Sequence, residues 1–225
     1  MGIDNLSASH KPLKEEELDS ALKSSEMSPE ETADFLFDQY MKQHLLDKFF
    51  EDLEDFLNTS QIEEVRASLA SYKDDEVTIA IAIPNELREK NFQRLHDEVT
   101  KEGKTPGEAI RRLVEASNRY NFGIGYHTSP IDIRPTAEGV WNIKATEQDH
   151  RDGDLARAYY SSKFRHLYKA KNDGYIYAVR TSPEDKTDGN WSRSSSLSII
   201  MRVPFREVHD YVVQTAQKMK KAAKK

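Results

Sequence analysis

The 225-residue chain contains no cysteine, so it forms no disulfide and holds no zinc through thiolates. It also lacks any apolar run close to the roughly 20 residues that cross a bilayer. Residues 1–14 show neither the basic stretch nor the apolar core of a secretory signal. These absences predict a cytoplasmic protein that does not enter the membrane, with an exported effector or toxin as the alternative location.

Acidic and basic residues are distributed unevenly along the chain. Residues 1–120 hold 27 acidic and 15 basic side chains, a net charge of −12, whereas residues 121–225 hold 12 and 18, a net charge of +6; together they give the overall −6. This asymmetry predicts two units with different roles. The basic half is suited to attract the pyrophosphate of NAD or a nucleic acid, unless the two halves simply complement each other.

Residue composition and apolar patterning divide the chain into three segments. Residues 1–27 are polar and are predicted to be disordered or weakly ordered. Residues 28–115 are predicted to form a mostly helical accessory region, and residues 116–225 a domain of short strands. The predicted fold class is therefore α+β. The acidic helical region is a candidate surface for a partner protein.

Capping signals and apolar periodicity predict the helices of the first half. Ser28-Pro29-Glu30-Glu31 and Thr105-Pro106-Gly107-Glu108 both carry the residue types of a capping box with proline at the first helical position. Apolar residues then recur at three- and four-residue spacing. The predicted helical segments are a helix or helical hairpin from Ser28 to Leu57, Ile62–Leu69, Asn85–Val99, and a helix from Pro106 onward.

Short β-like runs dominate the remainder. Val77–Ile83 alternates β-branched with smaller residues and stops at Pro84, which predicts a strand within the helical half. In the second half the predicted strands are Tyr120–Ile124, extended to His127 at its end, Tyr175–Val179 and Leu197–Val203. Arg206–Met219 is predicted to be a closing helix.

Three ordered motifs in the second half carry the chemistry. They are Tyr126-His127-Thr128-Ser129, Ala158-Tyr159-Tyr160-Ser161 and Gly174-Tyr175-Ile176-Tyr177-Ala178-Val179. A histidine followed by two hydroxyl residues offers hydrogen bonds to a ribose and a carboxamide, and the tyrosine pair offers flat faces for a nicotinamide ring. The combination predicts a cleft that binds NAD.

These motifs resemble those of ADP-ribosyltransferases of the histidine–tyrosine class. That class includes diphtheria toxin, the poly(ADP-ribose) polymerases and rifampin ADP-ribosyltransferase, to which the segment from Gly174 to Asp185 looks most similar. The resemblance covers roughly residues 122–212, and Thr128 stands where the family has glycine. It implies a split β-sandwich in which NAD lies between two sheets.

The resemblance implies a role for each matching residue. His127 would hold the adenine-side ribose, and the backbone beside Thr128 and Ser129 would pair with the nicotinamide amide. Tyr159, or its neighbour Tyr160, would stack on the nicotinamide, and Tyr168 would close the other face. Pyrophosphate contacts would come from an arginine, and the candidates are Arg134, Arg151 and Arg193.

The third position of the family's catalytic triad is altered. Many members place a glutamate at the start of a late strand, where this chain has Ser196. A serine hydroxyl forms hydrogen bonds but carries no negative charge to stabilise a developing cation. Enzymes similar to rifampin ADP-ribosyltransferase use an aspartate from an earlier loop, which implies a catalytic role for Asp185, with Asp188 in reserve.

The acidic segment from Glu147 to Asp154 contains one histidine but lacks the spacing of a helix–loop–helix calcium site. It is predicted to be a flexible loop at the mouth of the cleft, and no metal is expected.

The sequence therefore predicts an NAD-dependent mono-ADP-ribosyltransferase, with NAD as substrate and release of nicotinamide. The acceptor stays open between a protein, a nucleic acid and a small molecule. The alternatives are a non-enzymatic NAD- or ADP-ribose-binding module with a degenerate triad, an RNA-processing enzyme similar to RNA 2′-phosphotransferases, and an interaction protein that matches the motifs by chance.

Overall fold

The computed structural model describes most of the chain and divides it into two compact units. The first unit comprises residues 39–122, and the second comprises residues 27–38 together with the chain from Gly123 onward. The predictions for residues 1–26, for the 147–154 loop, and for Arg151 and Tyr168 fall outside the described residues. The described ranges are 27–72, 74–120, 122–137, 140–144, 158–167, 174–188, 191–194 and 196–222.

Five helices occupy the first half of the chain. They are α1 Pro29–Leu53, α2 Thr59–Leu69, α3 Asp74–Ile81, α4 Asn85–Thr100 and α5 Pro106–Ser117. The first turns of α1, up to Asp38, belong to the second unit. The segment from Ser28 to Leu57 thus contains one long helix rather than a hairpin, and the predicted helices in the other three segments are confirmed.

Local hydrogen bonds explain where three of these helices begin. The Ser28 hydroxyl accepts from the Glu31 amide at 3.2 Å, while the Glu31 carboxylate accepts from the Ser28 amide at 2.8 Å. Thr105 and Glu108 form the same reciprocal pair at the start of α5, and Asn58 caps α2 in this way with a glutamine. Each capping box satisfies backbone donors that the first turn leaves unpaired.

Val77–Ile81 is the end of α3, and Ala82 and Ile83 form a turn, so the predicted strand is wrong. Val77, Ala80 and Ile81 are buried together, and this spacing of three and four residues matches a helix rather than the two-residue period of a strand. β-Branched residues disfavour a helix by well under 1 kcal/mol each, and burial of a shared apolar face outweighs that preference. Pro84 then precedes α4 instead of ending a strand.

The second unit contains two antiparallel sheets. The four-stranded sheet has the order β1-β4-β7-β2, and the three-stranded sheet has the order β3-β6-β5. The strands are β1 Gly123–Ser129, β2 Asn142–Lys144, β3 Ala158–Tyr160, β4 Tyr175–Thr181, β5 Lys186–Asp188, β6 Trp191–Ser194 and β7 Ser196–Pro204. The strands predicted at Tyr175–Val179 and Leu197–Val203 are confirmed. The first strand begins later than predicted, since Tyr120 lies in an exposed turn and β1 runs two residues past His127.

An apolar cluster joins the two sheets of this unit. Ala158 and Tyr160 of β3 are buried with Tyr177 and Val179 of β4 and with Leu197 of β7. Alternate residues of a strand face opposite sides, so the other side of the four-stranded sheet needs a separate cover.

Helices provide that cover. The Phe37 ring of α1 meets the Tyr126 ring edge-on at 4.8 Å and stacks on Phe164 at 5.1 Å. Phe164 opens the short helix α6 Phe164–Leu167, and Phe205 opens α7 Phe205–Ala222. The closing helix is thus confirmed, and the fold is α+β. None of the helices among the described residues combines the length and apolar character needed to cross a bilayer.

Candidate functional site

The first two motifs meet at the open edge of the four-stranded sheet. The Tyr126 amide donates to the Ser161 carbonyl and the Ser161 amide donates to the Tyr126 carbonyl, both at 2.9 Å. This single bridge joins β1 to the end of β3. Residues 126–129 and 158–161 therefore lie side by side, and the candidate site lies wholly within the second unit.

The His127 ring is held by the backbone of β3. Its Nδ1 lies 2.7 Å from the Tyr159 carbonyl oxygen. A carbonyl only accepts, so Nδ1 carries the hydrogen, and in the neutral ring Nε2 is left as an acceptor. Burial lowers the pKa of His127, an effect that this hydrogen bond opposes. The neutral imidazole can therefore receive a hydrogen bond from a ligand hydroxyl near pH 7.

The backbone of Thr128 presents an unused donor and acceptor. In an antiparallel ladder the N–H and C=O of alternate residues point to the same side of the strand. Tyr126 uses both groups on the side away from β4, so those of Thr128 point to that side too. Within the described residues neither group of Thr128 has a hydrogen-bond partner. A primary carboxamide, with one N–H donor edge and one oxygen, matches this pair.

The two neighbouring tyrosines have different surroundings. Tyr160 is buried in the cluster between the sheets, whereas the Tyr159 side chain is 43% exposed. The difference follows from strand alternation, which sends adjacent side chains to opposite faces. Tyr159 therefore offers its ring to a ligand, and Tyr160 serves as a packing residue.

Tyr160 links the site to Asp185. Its hydroxyl donates to Asp185 Oδ2 at 2.9 Å, and the same oxygen accepts from the Ser182 amide at 2.9 Å. Burial, together with the bond to Asp185, raises the pKa of Tyr160 to about 12, so the hydroxyl stays protonated. Asp185 is thereby oriented with Oδ2 occupied, while Oδ1 has no hydrogen-bond partner among the described residues.

Gly125 permits the Tyr160 ring to lie against β1. A Cβ at this position would fall inside the Tyr160 ring and within 3.1 Å of the Thr181 methyl group. Gly125 is not among the site residues predicted from the sequence. Its only signal was a glycine inside a predicted strand, which is typical of a close approach by another group.

Two other candidates are engaged in internal contacts. The Ser129 hydroxyl accepts from the Ile131 amide at 3.2 Å and so closes a turn after β1. Arg134 donates to Asp132 at 2.7 Å. Asp132 also forms an ion pair with Arg202. One carboxylate thus faces two guanidinium groups, which leaves this cluster positive.

Ser196 is not brought to His127. Backbone register places His127 opposite Tyr177, and Tyr177 opposite Arg202. Ser196 lies six residues before Arg202 on β7, which corresponds to about 20 Å along a strand. It is exposed and opens that strand. Asp188 lies in β5, opposite Trp191.

No group of three or more metal-ligating side chains converges within the described part of the chain. No model of a known protein family matches the sequence, and no significant match was found among curated proteins or solved structures.

Proposed function

We propose that the protein is an NAD-dependent mono-ADP-ribosyltransferase that transfers ADP-ribose to an acceptor and releases nicotinamide. The observation that carries the proposal is the shared edge of residues 126–129 and 158–161, where Nδ1 of His127 bonds the Tyr159 backbone, the Thr128 backbone has no partner among the described residues, and the Tyr159 side chain is exposed. The resemblance of the motifs assigns these three positions to one molecule of NAD, with His127 at the adenine-side ribose and the other two at the nicotinamide. Two antiparallel sheets joined by a common cluster are compatible with the split β-sandwich that the resemblance implies.

NAD binding would use the groups that the fold leaves unpaired. The nicotinamide carboxamide donates to the Thr128 carbonyl and accepts from the Thr128 amide. The nicotinamide ring stacks on Tyr159, a contact of about 0.5–1.5 kcal/mol beyond area burial. A ribose hydroxyl donates to Nε2 of His127. Arg134 and Arg202, which share Asp132, provide the positive charge for the pyrophosphate.

Transfer breaks the bond between the ribose anomeric carbon and the nicotinamide nitrogen. The bonding electrons leave with nicotinamide, which becomes neutral, and the sugar passes through an oxocarbenium-like state. The acceptor nucleophile bonds to the same carbon and loses its proton. Asp185 would stabilise this positive charge or accept a hydrogen bond from a ribose hydroxyl, since its Oδ1 has no partner among the described residues. Preorganised charge of this type is worth a few kcal/mol in the transition state.

Nicotinamide release from NAD tests the proposal. The wild type should release nicotinamide, and His127→Ala should release at least tenfold less. His44→Ala is the matched control, because Nδ1 of His44 also lies 3.0 Å from a backbone carbonyl, that of Tyr40, but in the first unit. Equal nicotinamide release by the wild type and His127→Ala would contradict the proposal.

A second candidate function is supported by Ser196. The late strand begins with a serine that is exposed and lies about 20 Å along the strand from the row of His127. A site without that carboxylate suits a non-enzymatic NAD- or ADP-ribose-binding module. NAD-dependent thermal stabilisation that is lost in His127→Ala, without nicotinamide release, would establish this alternative. Asp185→Asn separates the two, since it should abolish release in an enzyme and leave NAD binding nearly unchanged in either case.

A further inference from the structure

The outer face of the three-stranded sheet carries an aromatic and cationic strip, formed by Tyr159, Arg193 and Trp191. Tyr159 of β3 pairs with Arg193 of β6, and residues opposite each other in an antiparallel pair share one face. Trp191 lies two positions before Arg193 on the same strand and so projects to that face too. Tyr160 and Ala158 project to the opposite face, into the cluster between the sheets.

The Arg193 guanidinium has no ionic partner among the described residues of this unit. It forms neither a hydrogen bond nor an ion pair with any described residue, and its Nε is buried without a partner. Because Nε is out of reach of solvent, an anion would contact the terminal nitrogens of the guanidinium instead. The strip is therefore suited to an anion.

Trp191 supplies a flat apolar surface next to this charge. Its ring is partly exposed and does not belong to the cluster between the sheets. The His166 ring lies 5.8 Å away at a 38° tilt, so Trp191 is supported on one side. The Ser161 hydroxyl hydrogen-bonds Nδ1 of His166 at 2.8 Å and fixes that ring.

We propose that this strip binds a single-stranded polynucleotide, with a base stacked on Trp191 and a phosphate at Arg193. Aromatic side chains and arginines on the face of a small sheet are the chemistry that binds unpaired bases and their backbone. A duplex hides its base faces and cannot use Trp191 in this way. An arginine next to an aromatic face suits a ligand that carries a phosphate beside each base, as a polynucleotide does.

The strip also deepens the proposed function. Its third member, Tyr159, is the residue on which nicotinamide is proposed to stack, so a strand lying across Trp191 and Arg193 brings its next nucleotide to the reacting sugar of NAD. The polynucleotide is then the acceptor of ADP-ribose. This last step rests on the proposed function, whereas binding to the strip does not.

Binding is measured without NAD, by fluorescence anisotropy of labelled strands of about 12 nucleotides. Oligo(dT) and oligo(rU) form separate arms, so that a difference between them assigns the preferred sugar. Trp191→Leu should weaken binding about tenfold, and Trp191→Phe should retain most of it. Arg193→Gln should weaken binding and reduce the slope of log affinity against log salt by about 0.7.

The controls separate the strip from general charge. Arg206→Gln removes an arginine whose side chain is 83% exposed on α7. Trp141→Phe alters the other tryptophan, whose indole donates to the Ile133 carbonyl at 2.9 Å. Neither should change affinity. If Trp191→Leu does not fold, Trp191→Phe and Arg193→Gln still decide the outcome.

Three results would overturn the proposal. They are no binding by the wild type, equal weakening by Arg193→Gln and Arg206→Gln, or displacement by polyglutamate as effective as by the unlabelled strand. The last result would assign the strip to an acidic protein. Binding of the polynucleotide without nicotinamide release would support the strip and refute the transferase. Nicotinamide release without polynucleotide binding would refute the strip alone.

Discussion

The Nδ1 atom of His127 lies 2.7 Å from the carbonyl oxygen of Tyr159, although the two residues are 32 positions apart in the chain. The bond fixes the tautomer of the ring and ties the edge strand of one sheet to the backbone of the other. A change in either strand therefore alters the direction in which Nε2 points.

The low pKa of His127 predicts the pH dependence of NAD binding. Burial lowers the pKa of the His127 ring below the ordinary histidine value of about 6.5. NAD affinity should be constant above that pH and should fall as the pH drops toward the lowered pKa, because protonation removes the acceptor at Nε2. Wild type and His127→Ala should be compared from about pH 8 to pH 5.

The same shift affects stability with a definite sign. The unfolded chain takes up the proton first, so the contribution of His127 to the free energy of unfolding is complete above about pH 6.5 and decreases as the pH falls. An NMR titration of the His127 ring tests both statements. A folded-state pKa at or above 6.5 would contradict them.

Thr128→Pro should weaken NAD binding without destabilising the fold. Thr128→Pro removes the amide that faces the open edge, where no ladder hydrogen bond is lost. Loss of one carboxamide hydrogen bond should reduce NAD affinity about tenfold, with little change in the melting temperature. Thr128→Ala keeps the amide and should bind as the wild type does. An equal effect of the two variants would mean that the side chain, not the backbone, contacts the ligand.

A double-mutant cycle should reveal the contact between Gly125 and Tyr160. Gly125→Ala places a methyl group inside the Tyr160 ring and should cost about 1–3 kcal/mol in the free energy of unfolding. In a Tyr160→Ala background most of this cost should vanish, because the colliding ring is gone. Urea unfolding of the four proteins gives the coupling. Strict additivity would argue against the close approach.

Arg88 should be the most sensitive ion-paired residue of the first unit. It is 7% exposed, and its guanidinium donates to Asp52 at 2.8 Å and to the Ile81 carbonyl, near the end of α3, at 2.7 Å. Arg88→Met should cost about 1–3 kcal/mol, since it leaves Lys48 as the remaining described cation on the Asp52 carboxylate and removes the side-chain donor to the Ile81 carbonyl. Chemical unfolding monitored by circular dichroism measures this loss.

Lys101→Met is the control for that prediction. The Lys101 side chain is 70% exposed and pairs with Asp97 at 3.0 Å within one helix. Surface pairs of this kind contribute less than about 1 kcal/mol. A cost for Lys101→Met equal to that of Arg88→Met would show that burial of Arg88 does not matter.

Helix starts were readable from the sequence because capping is local. Ser28 with Glu31 and Thr105 with Glu108 find each other three residues apart, whatever the rest of the chain does. The helical state of Val77–Ile81 was not readable in this way. Alternating β-branched residues indicate a strand locally, and only burial of one helical face by the surrounding helices reverses that preference.

For the candidate site, the sequence by itself determined the chemical groups and their order: a histidine, a tyrosine pair and a later aspartate. It left open whether Tyr159 or Tyr160 stacks on the nicotinamide. Only the tertiary structure decided which of the two is buried, which oxygen of Asp185 is occupied, and that the backbone of Thr128 lies at an open edge. Those features depend on pairing between strands that are distant in the chain, and such pairing is selected by the burial of the whole sheet rather than by local residue preference.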